Sequence, residues 1–303
     1  MTRVYGEVII LRVKETIGSR IFNVANITFM VLLMAVTFYP LLYVAFASFS
    51  VPSRFLAHTG FLFRSEGFSL ESYKAVIQNP MIGVGYRNTL VVVVLGVMLN
   101  ILLTALGAYF LSRKRIMLKK AIMLIIVFTM FFNGGLIPFY LTVRSVHIDD
   151  SLLALILPTA INTFNLIIMR TAFMAIPESM EESAKIDGAG HFTILFRIMI
   201  PLSMSTIAVM ILFYGVANWN AWFNAMIFLR DRDLYPLQLV LREILIQNDT
   251  TSMVAGGDTG DTQMVSQTIK YAVIMVATIP ILALYPFLQK YFVKGVMIGA
   301  IKE

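Results

Sequence analysis

Most of this chain consists of long apolar runs separated by short polar segments that carry the charge. Six runs, over residues 24–49, 86–111, 121–143, 152–173, 198–228 and 271–292, reach the length of roughly twenty residues that a helix needs to cross a bilayer. Basic residues between the runs set their direction, because loops rich in Lys and Arg stay on the cytoplasmic side. Arg3, Arg12, Lys14 and Arg20 precede the first run against Glu7 and Glu15, which places the N-terminus inside. Arg113, Lys114, Arg115, Lys119 and Lys120 follow the second run and are the clearest inside marker in the chain. Lys290, Lys294 and Lys302 place the C-terminus inside as well. The prediction is an all-α integral membrane protein with six spans: a 24–292 membrane domain between cytoplasmic segments 1–23 and 293–303. The first run follows some twenty mixed-charge residues and is long enough to span, so it is predicted to be a retained anchor and not a cleaved signal.

The runs are not uniform. In the third, Asn133-Gly134-Gly135 and Pro138 should bend or break the helix, and such backbone is tolerated at membrane depth only against protein or a wet cavity. The fourth carries Pro158, Asn162 and Asn165, and the fifth has its most polar part at Asn218-Trp219-Asn220-Ala221-Trp222-Phe223-Asn224. Outside the membrane, 50–83 holds a short helical pattern over 70–77, and 229–270 is the longest hydrophilic loop.

Composition narrows the function. With 58% hydrophobic residues and a mean hydropathy of +0.81, the chain is too apolar for a soluble domain. The net charge of +7 sits in clusters that topology explains, with no aromatic-interleaved patch for nucleic acid. There is no cysteine, hence no disulfide framework, thiolate metal site or cysteine nucleophile. His58, His147 and His191 are far apart and lack a metal-ligand spacing, so they are expected to be ordinary loop residues.

The polar stretch 178–201 is the exception to the basic pattern of the inside loops. Pro177 suits the first turn of a helix, and Glu178, Glu181 and Glu182 then lie near the positive end of the helix dipole. Glu181 and Lys185 have the i,i+4 spacing of an exposed ion pair, Met180, Ala184 and Ile186 offer a partial apolar face, and Gly188 can close the helix in the left-handed conformation. Phe192, Leu195, Phe196 and Met199 then repeat at i, i+3, i+4 and i+7. The expectation is a short helix, a tight Gly turn and a second helix that becomes the fifth span. An amphipathic loop lying on the lipid surface is the bland alternative, but such helices are usually rich in Lys and Arg.

Glu182-Ser183-Ala184, three residues, Gly188, nine residues, and Ile198-Met199-Ile200-Pro201 resemble the EAA loop of binding-protein-dependent ABC importer permeases. Ser183 stands for the second residue of Glu-Ala-Ala and Ile200 for a common Leu. The resemblance extends over essentially the whole chain and is nearest to the carbohydrate-uptake, maltose-G-like branch. Asn133–Pro138, Trp219-Asn220-Ala221-Trp222 and Gly295-Val296-Met297-Ile298-Gly299-Ala300 look like the complex-oligosaccharide and polysaccharide-fragment subset.

The resemblance implies the type I ABC importer permease fold in a prokaryotic cytoplasmic membrane. It implies a loop, with Glu181, Glu182, Ser183, Ala184, Asp187, Gly188, Ile198 and Pro201 as its coupling residues, that docks in a cleft of the ATPase. Glu182 would pair with a basic residue there. Two ATPase subunits holding ATP and Mg, a second, different permease subunit and an extracytoplasmic solute-binding protein are the implied partners. This chain has no Gly-x-x-x-x-Gly-Lys-Ser/Thr loop, so hydrolysis belongs to a partner and no cofactor is expected in this subunit.

For the cargo path, Asn218, Trp219, Asn220, Trp222 and Asn224 combine amides that bind hydroxyls with indoles that stack on sugar faces. Asn162, Asn165 and Asn133 are weaker candidates. Helix packing through Asn and interfacial placement of Trp explain the same residues structurally. Amino-acid or polyamine import stays open, since the loop reports coupling and not cargo. An ion-coupled secondary transporter is the rival class, and it would be expected to carry ionisable residues inside its spans.

Overall fold

The structure is a computed structural model that describes residues 16–114, 116–246, 267–283 and 286. The N-terminal charges up to Glu15, Arg115, the Gly-rich 256–261, the end of the sixth run with its lysines, and the Gly295–Ala300 motif lie outside the described residues.

Every described element is helical. The first run forms α1 (Ile17–Phe49), seven residues longer than expected because Thr16 caps it, accepting from the Ser19 N–H at 3.3 Å. Short helices α2 (Pro52–Ala57) and α3 (Glu71–Gln78) follow, the second where the sequence predicts it. The second run is α4 (Pro80–Ser112), started by the Asn79 cap and Pro80. Among the described residues α1 and α4 are the two unbroken helices long and apolar enough to span, with mean hydropathies of 2.1 and 2.6.

The remaining runs are broken. The third is α5 (Lys119–Phe131) and α6 (Leu136–Ser145), bent by 112°. Gly135 permits this with φ +85, and Asn133 Oδ1 accepts the Gly135 N–H at 3.0 Å, so the Gly-Gly-Pro expectation holds. The fourth reduces to α7 (Leu153–Ile156), an irregular stretch, and α8 (Thr163–Met174). Asn100 on α4 serves that irregular backbone, donating from Nδ2 to the Thr159 and Ala160 carbonyls, both at 2.9 Å. An exposed carbonyl in lipid would otherwise cost several kcal/mol.

After α9 (Glu178–Ile186) the fifth run departs from expectation. It is not one rod over 198–228. α10 (His191–Leu202) meets α11 (Met204–Trp219) at 86°, and α12 (Phe223–Phe228) follows a break at Asn220. Pro201 lacks an N–H to continue the ladder, and Ser203 leaves helical geometry at φ −106, ψ 21. The loop 229–270 also departs: it contains α13 (Leu237–Ile246), which buries Leu237, Leu239, Val240, Leu241 and Ile244. α14 (Gln267–Ala283) starts four residues before the sixth run and carries its first part, 271–283.

The core forms around α4. Towards its C-terminal end Ala105, Ala108 and Leu111 pack on Leu166, Met169, Phe173, Met199 and Met210. Towards the other end Ile82 packs with Trp219, Leu241, Ile269 and Val273. Small residues bring the backbones close, and polar cross-links fix their register: Thr104 with the Tyr214 hydroxyl at 2.7 Å, and Asn88 Nδ2 to the Asp233 carbonyl at 2.7 Å.

Candidate functional site

Beside the C-terminal end of α4, α9 begins directly after Pro177, which precedes the first turn rather than lying inside it. The helix closes at Gly188, φ +80, where Ala189 N–H reaches the Ala184 carbonyl at 2.9 Å and Gly188 N–H the Lys185 carbonyl at 3.0 Å. Those two bonds are the Schellman closure, and its αL position suits glycine.

The glutamates divide between two faces. Glu181 is buried and pairs with the Arg113 guanidinium at the end of α4, while its other oxygen takes Lys185 Nζ at 2.8 Å. Arg113 also lies over the Tyr109 ring, 4.6 Å from its centroid. Outside this core, Glu178 takes Lys114 at 2.9 Å. The expected Glu181–Lys185 pair forms with Lys185 exposed, but Glu181 is buried because Arg113 swings over the helix from the end of α4. Glu182, Ser183 and Asp187 are exposed. Ala184 turns to the chain's own core, leaving Met180 and the 86% exposed Ile186 as the apolar outer face.

Beyond the glycine turn, the periodicity predicts Phe192, Leu195, Phe196 and Met199 on one face. The structure buries Ile194, Leu195 and Met199 and exposes Phe192 and Phe196. A π-helical turn over Leu195–Met199, with its wider i to i+5 ladder, rotates the inward face. Ile198 is half-buried there and Pro201 is exposed.

At the other end the Asn/Trp cluster is dispersed. Asn218 is buried, its Nδ2 donating to Asn100 Oδ1 at 3.1 Å, and Trp219 is buried against Tyr86. Asn220 and Trp222 instead line a groove of about 570 Å³ with Gln238, Arg242 and Thr278. The Arg242 guanidinium lies 4.8 Å from the Trp222 ring centroid. Asn224 is half-buried on α12 outside this lining. Asn162 caps α8 by accepting the Asn165 N–H at 3.1 Å, and Asn165 is buried. Asn133 lines a separate groove at the α5–α6 break.

Residues 90–298 match the family described as binding-protein-dependent transport system inner membrane component. The chain belongs to this family. It is thus an inner-membrane permease subunit of an ABC importer and not itself an ATPase, and it carries no cofactor of its own. The permease is 40% identical over 289 residues to Protein LplC of Bacillus subtilis, spanning 95% of this chain and 97% of that one. It is 40% identical over 292 residues to the polygalacturonan/rhamnogalacturonan transport system permease protein YtcP of the same organism, spanning 94% and 99%. Its fold matches a chain of a bacterial ABC transporter involved in the import of the acidic polysaccharide alginate, with a TM-score of 0.84, 30% identity, and 92% and 99% of the two chains covered.

Sequence reasoning did not single out three side chains of this permease for these roles. Arg113 was expected only as a topology marker, yet it anchors α9. Asn100 is a lone amide in an apolar run. Arg242 lies in a segment expected to be loop, and only its helical placement brings it to Trp222. His58, expected to be an ordinary loop residue, lies 3.3 Å from Glu66.

Proposed function

We propose that this permease forms half of the translocation path of an ATP-driven carbohydrate importer, with six spans and both termini in the cytoplasm. Its cargo is an oligosaccharide or polysaccharide fragment, a reading supported by what the relatives' names carry. α9 docks on a separate ATPase that binds ATP and Mg. A second, different permease subunit completes the path, and an extracytoplasmic solute-binding protein delivers the cargo.

The observation that carries this reading is the split of α9. Glu181 is consumed in holding the helix to α4, whereas Glu182, Ile186 and Asp187 stand exposed on its outer surface. A helix anchored on one face and bare on the other transmits a push from a partner to the spans behind it. Closure of the ATPase dimer would move α9 with α4 through Arg113, and α10 and α11 through the glycine turn.

The test is co-purification of the assembled transporter, then ATPase stimulation by the loaded binding protein over a panel of oligosaccharides. Truncating one partner of an interface charge pair costs about 2–5 kcal/mol, so Glu182→Ala should strip the ATPase from the complex or uncouple it while the permease stays folded. Normal ATPase retention and sugar-stimulated turnover in that variant would refute the docking role. Uptake that ignores the ATPase and follows an ion gradient would refute the class.

A further inference from the structure

We infer that the groove holding Trp222 and Arg242 is a subsite for a carboxylated sugar of the cargo, with Arg242 taking the carboxylate and Trp222 backing the guanidinium. The inference rests on the carbohydrate reading above and adds to it a charge preference and the residue that sets it.

Three features carry it. The guanidinium lies against the indole, 4.8 Å from its centroid. A guanidinium held by a ring face spends no N–H donor on that contact, and its planar donors can meet a carboxylate two at a time. The nearest acid in sequence, Glu243, is committed to Arg232 at 2.7 Å, and among the described residues Arg242 has no ion pair. Among the described residues, then, no anion meets this half-buried cation beside Leu241 and Ala277, and bulk water meets its demand for one only in part.

The rest of the groove suits a sugar. Its volume of about 570 Å³ falls within the range of small-molecule sites, about 300–1,000 Å³. The lining is an apolar floor with few polar groups. Asn220 spends its Nδ2 on the Val216 carbonyl at 2.9 Å, which leaves Oδ1 to accept from a hydroxyl. Gln238 stands one turn before Arg242 on α13 and offers a second amide.

The alternative is that Arg242 only clamps Trp222. The two readings separate on charge. The assembled transporter, reconstituted with its ATPase and binding protein, is supplied with an unbranched oligouronate and, separately, its carboxyl-reduced counterpart, and ATP-dependent uptake of each is measured. The binding protein is the same in every preparation, so its own preference cancels when variants are compared with wild type. Arg242→Gln should lower the ratio of acidic to neutral uptake roughly tenfold, the scale of one charge-assisted contact, and Arg242→Lys should restore part of it. Gln238→Glu retains Arg242 and supplies it with an internal carboxylate at i−4; it should lower the same ratio, and it decides the matter if Arg242→Gln fails to assemble. Equal loss of both sugars, or an unchanged ratio, overturns the subsite. A wild-type complex that carries only the neutral sugar also overturns it while leaving carbohydrate import intact. A complex that carries neither overturns both.

Discussion

Two short helices outside the long spans, α9 and α13, are built in opposite ways. α9 is held by charge: Glu181 is buried between Arg113 and Lys185, and the helix turns Met180 and Ile186 outward. α13 is held by apolar burial of Leu237, Leu239, Val240, Leu241 and Ile244, and it turns Arg242 to the groove. An ATPase is a protein surface with its own apolar and charged groups, so a helix that meets it gains from an apolar patch beside a free carboxylate. A polyhydroxylated solute offers little apolar area, so a helix that meets it gains from a cation and an aromatic face. On the proposed assignment, each helix leaves free the groups that its partner needs.

The largest effect should come from breaking the charged anchor. Removing one member of a buried pair strands the other charge and costs about 3–5 kcal/mol. Glu181→Ala should therefore lower the thermal midpoint of the purified permease sharply, whereas Glu182→Ala, one residue along and exposed, should leave the melt alone. Replacing Arg113 and Glu181 together by Leu should recover most of the loss, because a packed apolar pair removes the stranded charge. A Glu181→Ala protein that melts like wild type would show that the pair is a surface ornament.

An intermediate effect should come from the apolar anchor. A Cβ added at Gly85 would stand 3.0 Å from the Leu237 Cα and 3.1 Å from its backbone nitrogen. The same nitrogen donates to Thr89 Oγ1 at 2.8 Å, so backbone must shift where it is already bonded. Gly85→Ala should cost about 1–3 kcal/mol as an overpacked site and loosen α13, read as faster amide exchange over 237–246. The α9 end should keep its ATPase. If exchange over α13 does not change, the close approach at Gly85 does not position that helix.

How much of this contrast the sequence carries differs between the two ends. α9 is legible because its glutamates, Gly188 and the downstream Ile-x-x-Pro have a fixed spacing, and because each feature acts locally along the helix. Its anchor is not legible: Arg113 lies on another helix, and the basic loop already has a sufficient explanation in topology. α13 is hidden by averaging. Its apolar run is half the length of a span and lies between Arg230-Asp231-Arg232-Asp233 and a Gly-rich segment, so a window long enough to find spans sees only a hydrophilic loop. The π turn at Leu195–Met199 leaves no compositional trace. The breaks in the third and fifth runs differ in the same way: Gly134-Gly135 announces the first, while the second needs Pro201 and Ser203 together. Asn218 and Trp222 look equivalent in sequence, and only packing sends one to Asn100 and the other to the groove.

The smallest effect concerns the turn that leads into α13. Asp150, itself at φ +54, accepts the Arg230 N–H at 2.8 Å and the Asp231 N–H at 3.0 Å through Oδ1. Those two backbone donors, first Arg230 and then Asp231, hold its carboxyl below the usual carboxylate value, with a smaller contribution from the Arg230 charge. A carboxylate lowered in the folded state contributes stability that is complete above its unfolded-state pKa, about 3.9, and is lost as pH falls through the lower folded value. The group is fully exposed, unlike Glu181, so solvent screens it and the contribution is small. Amide exchange at Arg230 and Asp231 should therefore remain slow from neutral pH to about pH 4, once corrected for intrinsic acid dependence, and lose protection below that. Asp150→Asn retains an acceptor oxygen but no charge, so it should start with weaker protection and show no such acid step. An acid step of equal size in the Asn variant would assign the titration to another carboxylate.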